Sequence, residues 1–539
     1  MSSSFHFDLV NQEDVIKIGK SLKSKNSTGI DGLSTNLLKI LMPAIVKPLT
    51  LILNQSLATG IFPDKLKTAK VIPLYKKDDK LKMDNYRPVS LLTSISKIFE
   101  KTVHKQISKY FKENNLFYKS QYGFRDEHST ELASIELIDR VMNDFENKHT
   151  PLAIYMDLSK AFDTLDHQIL THKLEYYGIK GIELNWFKSY LSDRKQFVEI
   201  DNVKSNYQTI TTGVPQGSVL GPLLFLIYMN DIDEASSALI SILFADDSTF
   251  MSSINTVFPN NKIDCQFEEN INKELEKIYN WLAVNKLSLN ARKTKFMIFH
   301  TPGTKLNYIP KIFINGVNIE RVQNFNFLGL TINENLSWKP HVDKIANKLS
   351  KYSGVLSRLK HFLPPYILKT IYCSIVQSNL NYSLLVWGYD CKRLVILQKK
   401  IIRIICCSKY NSHTEPLFKK LGLLNITDMM KHNALKFYYK LKKGKVPAYF
   451  ENFQILTQEE IHGRETRFNQ LIPGNVTRTL IQQKCLRNYL PGVLNSTSAN
   501  ILEKASTHSY KGFSDYAKLK YIENYSNTCH IHNCYICSR

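Results

Sequence analysis

Apolar positions along the chain recur at two periods, and the switches between them mark its parts. Val15, Ile18 and Leu22 fall at helical spacing. A Gly29-Ile-Asp-Gly32 turn follows, and Leu37, Leu38, Leu41 and Ile45 carry an apolar face beyond it. Val71-Ile-Pro-Leu-Tyr75 has the pattern of a short strand ahead of the polar run 76–85. Residues 91–112 are expected to form an amphipathic helix with Leu92, Ile95, Ile98 and Phe99 inward. The apolar run Leu152-Ala-Ile-Tyr-Met156 predicts a buried strand that ends on Asp157. Ile169, Leu170, Leu174 and Tyr177 then predict a helix, residues 213–217 a loop, and residues 220–232 a strongly apolar helix. Residues 239–244 and 248–251 predict two strands with Ala245, Asp246 and Asp247 at or near the turn between them. Phe267, Ile271, Leu275, Ile278 and Leu282 predict another helix, and residues 296–299 a strand. This mixed order gives an α+β class.

After Trp338 the strand pattern stops. Val342, Ile345, Leu349, Leu356 and Leu359 predict one helix, and residues 367–386 and 394–406 two more; beyond about Tyr449 the periodicity fades. Four segments are therefore expected: 1–53 as an N-terminal extension, 54–335 as the mixed region, 336–450 as a helical module, and 451–539 without an assigned fold.

Charge changes the picture. Lys and Arg number 71 against 48 Asp and Glu, a formal +23. The excess is concentrated: 65–112 holds 13 basic and 4 acidic residues, and 339–445 holds 21 and 4. Two basic blocks flanking a region rich in carboxylates suit the walls of a groove that follows phosphates, although any single lysine is more simply a solvated one. No stretch reads as long and apolar enough to span a membrane, and the start carries no basic-then-apolar leader. The nine cysteines are odd in number and irregularly spaced. They point to reduced thiols and an intracellular setting, cytoplasm and nucleus.

Asp246 and Asp247 are costly neighbours between two apolar strands, because adjacent carboxylates repel. Their turn lacks the Gly or Asn of an ordinary two-residue hairpin. A divalent cation would offset that repulsion, with Asp157 as a third ligand. Magnesium is expected, as two ions, with manganese able to substitute.

The surrounding motifs resemble those of non-LTR retrotransposon reverse transcriptases, of the jockey and chicken-repeat group. In order they are Ile72-Pro-Leu-Tyr-Lys-Lys77, Asn85-Tyr-Arg-Pro-Val-Ser-Leu91, Gln121-Tyr-Gly-Phe-Arg125, Met156-Asp-Leu-Ser-Lys-Ala-Phe-Asp163, Gly213-Val-Pro-Gln-Gly-Ser-Val-Leu-Gly-Pro222 and Phe244-Ala-Asp-Asp247. Leu287-Ser-Leu-Asn290 with Lys293-Thr-Lys295, and Phe327-Leu-Gly-Leu330, complete the series, and the resemblance extends from about residue 10 to 450. The resemblance implies a right-hand polymerase of fingers, palm and helical thumb, acting on an RNA template, a DNA primer and deoxynucleotides. It also implies roles. Asp157, Asp246 and Asp247 would be the catalytic metal ligands. Arg87 and Lys76 (or Lys70) would bind the triphosphate, and Phe162 would exclude a 2′-hydroxyl, a core phenylalanine being the competing reading. Pro215, Gln216 and Gly217 would lie beneath the nucleotide, Lys293 near the leaving phosphate, and Phe327, Leu328 and Gly329 under the primer end. Asp163 and Asp166 are expected at a helix start.

Full-length relatives carry an endonuclease ahead of the polymerase, and the chain is expected to lack it. A catalytically idle nucleic-acid-binding remnant of a decayed element is therefore the second reading. The Cys529-His530-Ile-His532-Asn-Cys534-Tyr-Ile-Cys537 cluster is more simply a tail than a zinc site.

Overall fold

The computed structural model describes residues 4–255, 265–304, 306, 309–453, 455, 472, 477, 479 and 482–526. The Cys529–Cys537 cluster lies outside them. The fold is mixed helix and sheet, as expected. Its centre is a five-stranded sheet made of β3 His149–Met156, β7 Ile240–Phe244, β8 Asp247–Asn255, β9 Lys295–Ile298 and β12 Glu320–Arg321, in the spatial order β12-β9-β3-β8-β7. All its pairings are antiparallel except β9 with β12.

β3 is apolar almost throughout because both its faces are covered. Leu152, Ile154 and Met156 join Phe250, Phe296 and Ile298 in a core shared with the N-terminal helices. Ala153 and Tyr155 point the other way, with Met251, Met297 and Phe299, into a core continuous with the C-terminal helices. Each such fully buried Leu, Ile or Phe contributes about 1.5–3 kcal/mol, so the strand leading to Asp157 is anchored from both sides.

A second sheet joins β1 Thr68–Tyr75, β2 Tyr86–Leu91, β4 Arg194–Ile200, β5 Val203–Lys204 and β6 Gln208–Ile210. Of these, only β1 is among the strands expected from the sequence. Behind the sheets lie α1 Gln12–Ser21, α2 Thr35–Thr59, α3 Ser94–Glu113, α4 Thr130–Glu146, α5 His167–Tyr176, α6 Gly181–Leu191, α7 Gly221–Met229 and α8 Cys265–Val284. Two small hairpins follow β9: β10 Phe313–Ile314 with β11 Val317–Asn318, and β13 Asn324–Phe327 with β14 Leu330–Asn333.

Three sequence expectations are corrected. The inward face of α2 is Leu38, Met42, Val46, Leu49, Leu53 and Leu57, whereas Leu37 and Leu41 are exposed and Ile45 only half-buried. The same 25-residue helix is long and apolar enough to cross a membrane by length and composition, with a third of its most apolar window buried in the fold. Finally, residues 367–386 are not one helix. Pro365–Ile371 runs into a π-helical stretch, Tyr372–Gln377, then Ser378–Asn381, and the chain breaks at Ser383 (φ +48°) before Leu384–Trp387.

The C-terminal module is built from Lys339–Leu359, Lys392–Ile405 and Ile426–Lys442. Beyond it, where the sequence shows no clear periodicity, Leu486–Asn495, Ala499–Thr507 and Tyr510–Glu523 are helices. They pack on Ile426–Lys442 within the same core.

Candidate active site

β3 and β8 pair with Met156 opposite Ser248. One further step along that register puts Asp157 across from Asp247, at the same end of the sheet. The β7–β8 hairpin closes with Phe244 opposite Asp247, so Ala245 and Asp246 form the turn. The pairing thereby brings the carboxylate at the end of β3 to a carboxylate pair far along the chain.

The charges feel one another. Desolvation holds Asp246 above the usual carboxylate range and Asp157 adds to the rise, while Arg87 pulls the other way. Asp247 is pushed up to about 6, first by desolvation and then by Asp246 and Asp157. One oxygen of Asp157, Oδ2, is buried without a hydrogen bond; the Lys293 ammonium stands 3.4 Å from it as a charge partner. An under-satisfied carboxylate oxygen near two further carboxylates has the donor chemistry that a hard cation takes. Among the described residues, no three His, Cys, Asp or Glu side chains are grouped closely enough to hold an ion as they stand.

Local backbone bonds fix Asp157. Its carbonyl accepts from Asn290 N at 2.8 Å, and Ser159 N donates to Ser288 O at 2.8 Å. Leu158 bridges Leu289. The 287–290 motif is thus the seat of the segment that carries Asp157.

The loop 213–217 is clamped between two neighbours. Gly213 N donates to Leu165 O at 2.7 Å, and Val214 N to Phe162 O at 2.9 Å. Gln216 Nε2 reaches both carboxylate oxygens of Asp163 at 2.9 Å, and Ser90 N of β2 donates to Gln216 O at 2.7 Å. Gly217 has φ +126°, and a Cβ there would lie 2.6 Å from Ser90 O, so only glycine fits. Pro215 is buried within the same loop. Asp166 does cap α5, accepting from Gln168 N and Ile169 N. Asp163 does not; it is the anchor for Gln216.

Phe162 is half-buried. It stacks on Phe225 at 4.6 Å and meets Phe124 edge-on at 6.3 Å. Its ring is therefore packed on one face but not fully enclosed. Lys76 is exposed at the β1–β2 connection, where it lowers the charge cost of Asp163. Phe327 is buried against Tyr155, 6.0 Å away, and Tyr155 stacks on Phe325 at 3.9 Å. The Leu328-Gly329 turn is tied to the C-terminal module by the Tyr382 hydroxyl, which donates to Leu328 O.

The sequence alone gives no role to Gln121, Gly123 or Tyr382. The first two stand in the 121–125 motif, so a signal exists; Tyr382 sits at the helical break and carries none.

Residues 74–332 match the family model described as reverse transcriptase (RNA-dependent DNA polymerase). The chain is 26% identical over 457 residues to the probable RNA-directed DNA polymerase from transposon BS of Drosophila melanogaster, covering 80% of this chain and 49% of that protein. It is equally similar to the RNA-directed DNA polymerase from mobile element jockey of the same species, at 26% over 81% of this chain and 48% of that protein. The probable RNA-directed DNA polymerase from transposon X-element, also of Drosophila melanogaster, is 26% identical over 78% of this chain and 47% of that protein. The chain spans about half the length of the curated relatives it matches.

Proposed function

We propose that this chain, which carries a reverse transcriptase domain and is similar to the RNA-directed DNA polymerases of jockey-type non-LTR retrotransposons, extends a DNA primer on an RNA template. The observation that supports it most is the position of Asp157 across the sheet from Asp246 and Asp247, with charges that oppose one another.

The hand follows. The central sheet is the palm, the β1–β2–β4 sheet with α1–α3 the fingers, and the helices after Lys339 the thumb. Asp157, Asp246 and Asp247 would hold the divalent cation. Magnesium there, or manganese, would supply the charge that makes a primer 3′-hydroxyl nucleophilic and steadies the departing pyrophosphate. Arg87, whose charge reaches Asp246, would bind the triphosphate, and Lys76 would add charge from the β1–β2 connection. Lys293 guards the Asp157 carboxylate and can hand a proton toward the leaving group. The 213–217 loop, pinned from both sides, gives a base pair a rigid floor of Pro215, Gln216 and Gly217. Phe162, half-buried and braced by Phe225, would stand against the sugar. Phe327, Leu328 and Gly329 support the primer end. The basic thumb follows the duplex phosphates.

Extension of oligo(dT) on poly(rA) with magnesium tests this reading. Asp246→Asn should nearly abolish extension while template binding survives. In the same assay Phe162→Val should admit ribonucleotides. Extension by Asp246→Asn at the wild-type rate would defeat the assignment of the site, and an unchanged sugar preference with a lowered melting temperature would return Phe162 to the core.

A further inference from the structure

The loop ahead of α4 lies against the turn that carries Asp246. Tyr122 N donates to Leu243 O at 2.7 Å and Leu243 N to Ser120 O at 3.0 Å, so Gln121 pairs in parallel with Leu243 as a short added edge of the central sheet. The Gln121 side chain then turns inward. Its Oε1 accepts from Gly123 N at 2.8 Å and from Ala245 N at 3.0 Å. Gln121 and Ala245 are both buried, at 4% and 5% exposure, so no bulk water competes for that N–H. Gly123 seals the contact: a Cβ on it would stand 2.3 Å from Ala245 N. Arg125 closes the loop on itself, donating from Nη1 to Tyr118 O at 2.6 Å and to Gln121 O at 3.2 Å.

Ala245 is the residue that needs holding. Its φ is +56°, a left-handed conformation that a residue with a Cβ rarely adopts, and it immediately precedes Asp246. Without an acceptor its buried N–H would be unpaired, and the turn would relax toward a conformation in which Asp246 and Asp247 point elsewhere. An amide oxygen is well suited here, since it accepts two hydrogen bonds and brings no charge. A carboxylate in the same position would add a further negative charge beside a cluster that already resists ionising.

We propose that Gln121 is a positioning residue for the carboxylate pair, fixing the strained Ala245–Asp246 turn through Oε1 and so holding the pair at the end of the sheet from which it would take a divalent cation. The inference rests on the reading of Asp246 and Asp247 as metal ligands, but its structural half stands apart from that reading.

The decisive experiment compares the full-length chain with Gln121→Met, which keeps length and apolar bulk without the acceptor, and Gln121→Glu, which keeps an acceptor oxygen. Amide exchange of the peptide spanning the turn reports the positioning. Manganese binding to the protein alone, followed by electron paramagnetic resonance, reports the consequence. Gln121→Met should lose protection at the turn and weaken manganese binding by about 10–100-fold, as loss of an outer support to a metal ligand commonly does. It should lower kcat while the KM for deoxynucleotide and the affinity for template-primer stay near wild type. Gln121→Glu should keep the turn protected, because its oxygen accepts the same two hydrogen bonds, and should bind manganese more tightly than Gln121→Met. Wild-type protection and wild-type manganese affinity in Gln121→Met would overturn the proposal, even with a lower melting temperature. So would a loss of protection in Gln121→Glu equal to that in Gln121→Met, because an acceptor oxygen at this position would then not be what holds the turn. Lost protection with unchanged manganese binding would overturn the metal half alone, and Asp246→Asn run beside it shows whether the ligand reading itself has failed.

Discussion

Between β7 and β8 the chain reverses on Ala245 and Asp246; between β13 and β14 it reverses on Leu328 and Gly329. Both are two-residue turns beside the proposed site, and both need left-handed backbone. At the second, Leu328 (φ +45°) and Gly329 (φ +91°) both adopt it, the signature of a type I′ hairpin with glycine where it is easiest. At the first, only Ala245 is left-handed, and no glycine relieves it. The supports differ accordingly. The Ala245 turn is held by the buried side chain of Gln121, with the Gly123 backbone flush against it. The Leu328 turn is held by an exposed tyrosine that arrives from the C-terminal module. The Ala245 turn is thus held by the loop that borders the sheet, and the Leu328 turn by a side chain from the helical module.

The two turns should part most clearly at Gly123. In Gly123→Ala the new methyl meets Ala245 N at 2.3 Å, so loop and turn must separate. A shift of about 1 Å at the carboxylates should lower primer extension by about a hundredfold, and overpacking should cost about 1–3 kcal/mol in chemical denaturation. Wild-type extension would mean that the turn does not depend on its backing. Next, Gly329→Ala strains a residue at φ +91° and brings a methyl 3.3 Å from the Tyr382 ring. A loss of about 1–2 kcal/mol is expected, and the catalytic effect should appear as a raised KM for primer with kcat kept. A fall in kcat alone would erase the distinction between the two turns. Tyr382→Phe should do least, since it deletes one hydrogen bond worth about 0.5–1.5 kcal/mol. Primer affinity should fall by less than about tenfold, with manganese binding untouched; a change in manganese binding would show that the C-terminal tether reaches the carboxylates after all.

Elements with one dominant pattern could be read from the chain alone. The apolar run 152–156 has the composition of a doubly covered strand, and the runs on either side of Ala245 that of two more, so the carboxylates fell at strand ends. Period and composition carry that information within a few residues. Asp166 as a cap and the helical nature of the module after Trp338 were legible for the same reason.

Packing between distant segments settled the rest. α2 is apolar nearly all round, so its sequence could not choose between Leu37 and Leu38; the helices packed on it did, leaving Ile40 at 74% exposure while Leu38 is fully buried. β4 and β6 take their stability from pairing with their neighbours, β4 along β1 and β6 along β4, not from their own pattern. The break at Ser383 sets Tyr382 against Leu328, 54 residues away, and no local signal could announce it. The role of Gln121 belongs here too. A glutamine ahead of Tyr-Gly-Phe-Arg reads as one polar loop residue, and only the folded chain brings its oxygen to an N–H 124 residues further on. Periodicity reports which face a segment buries, whereas a single hydrogen bond between remote segments leaves no periodic trace.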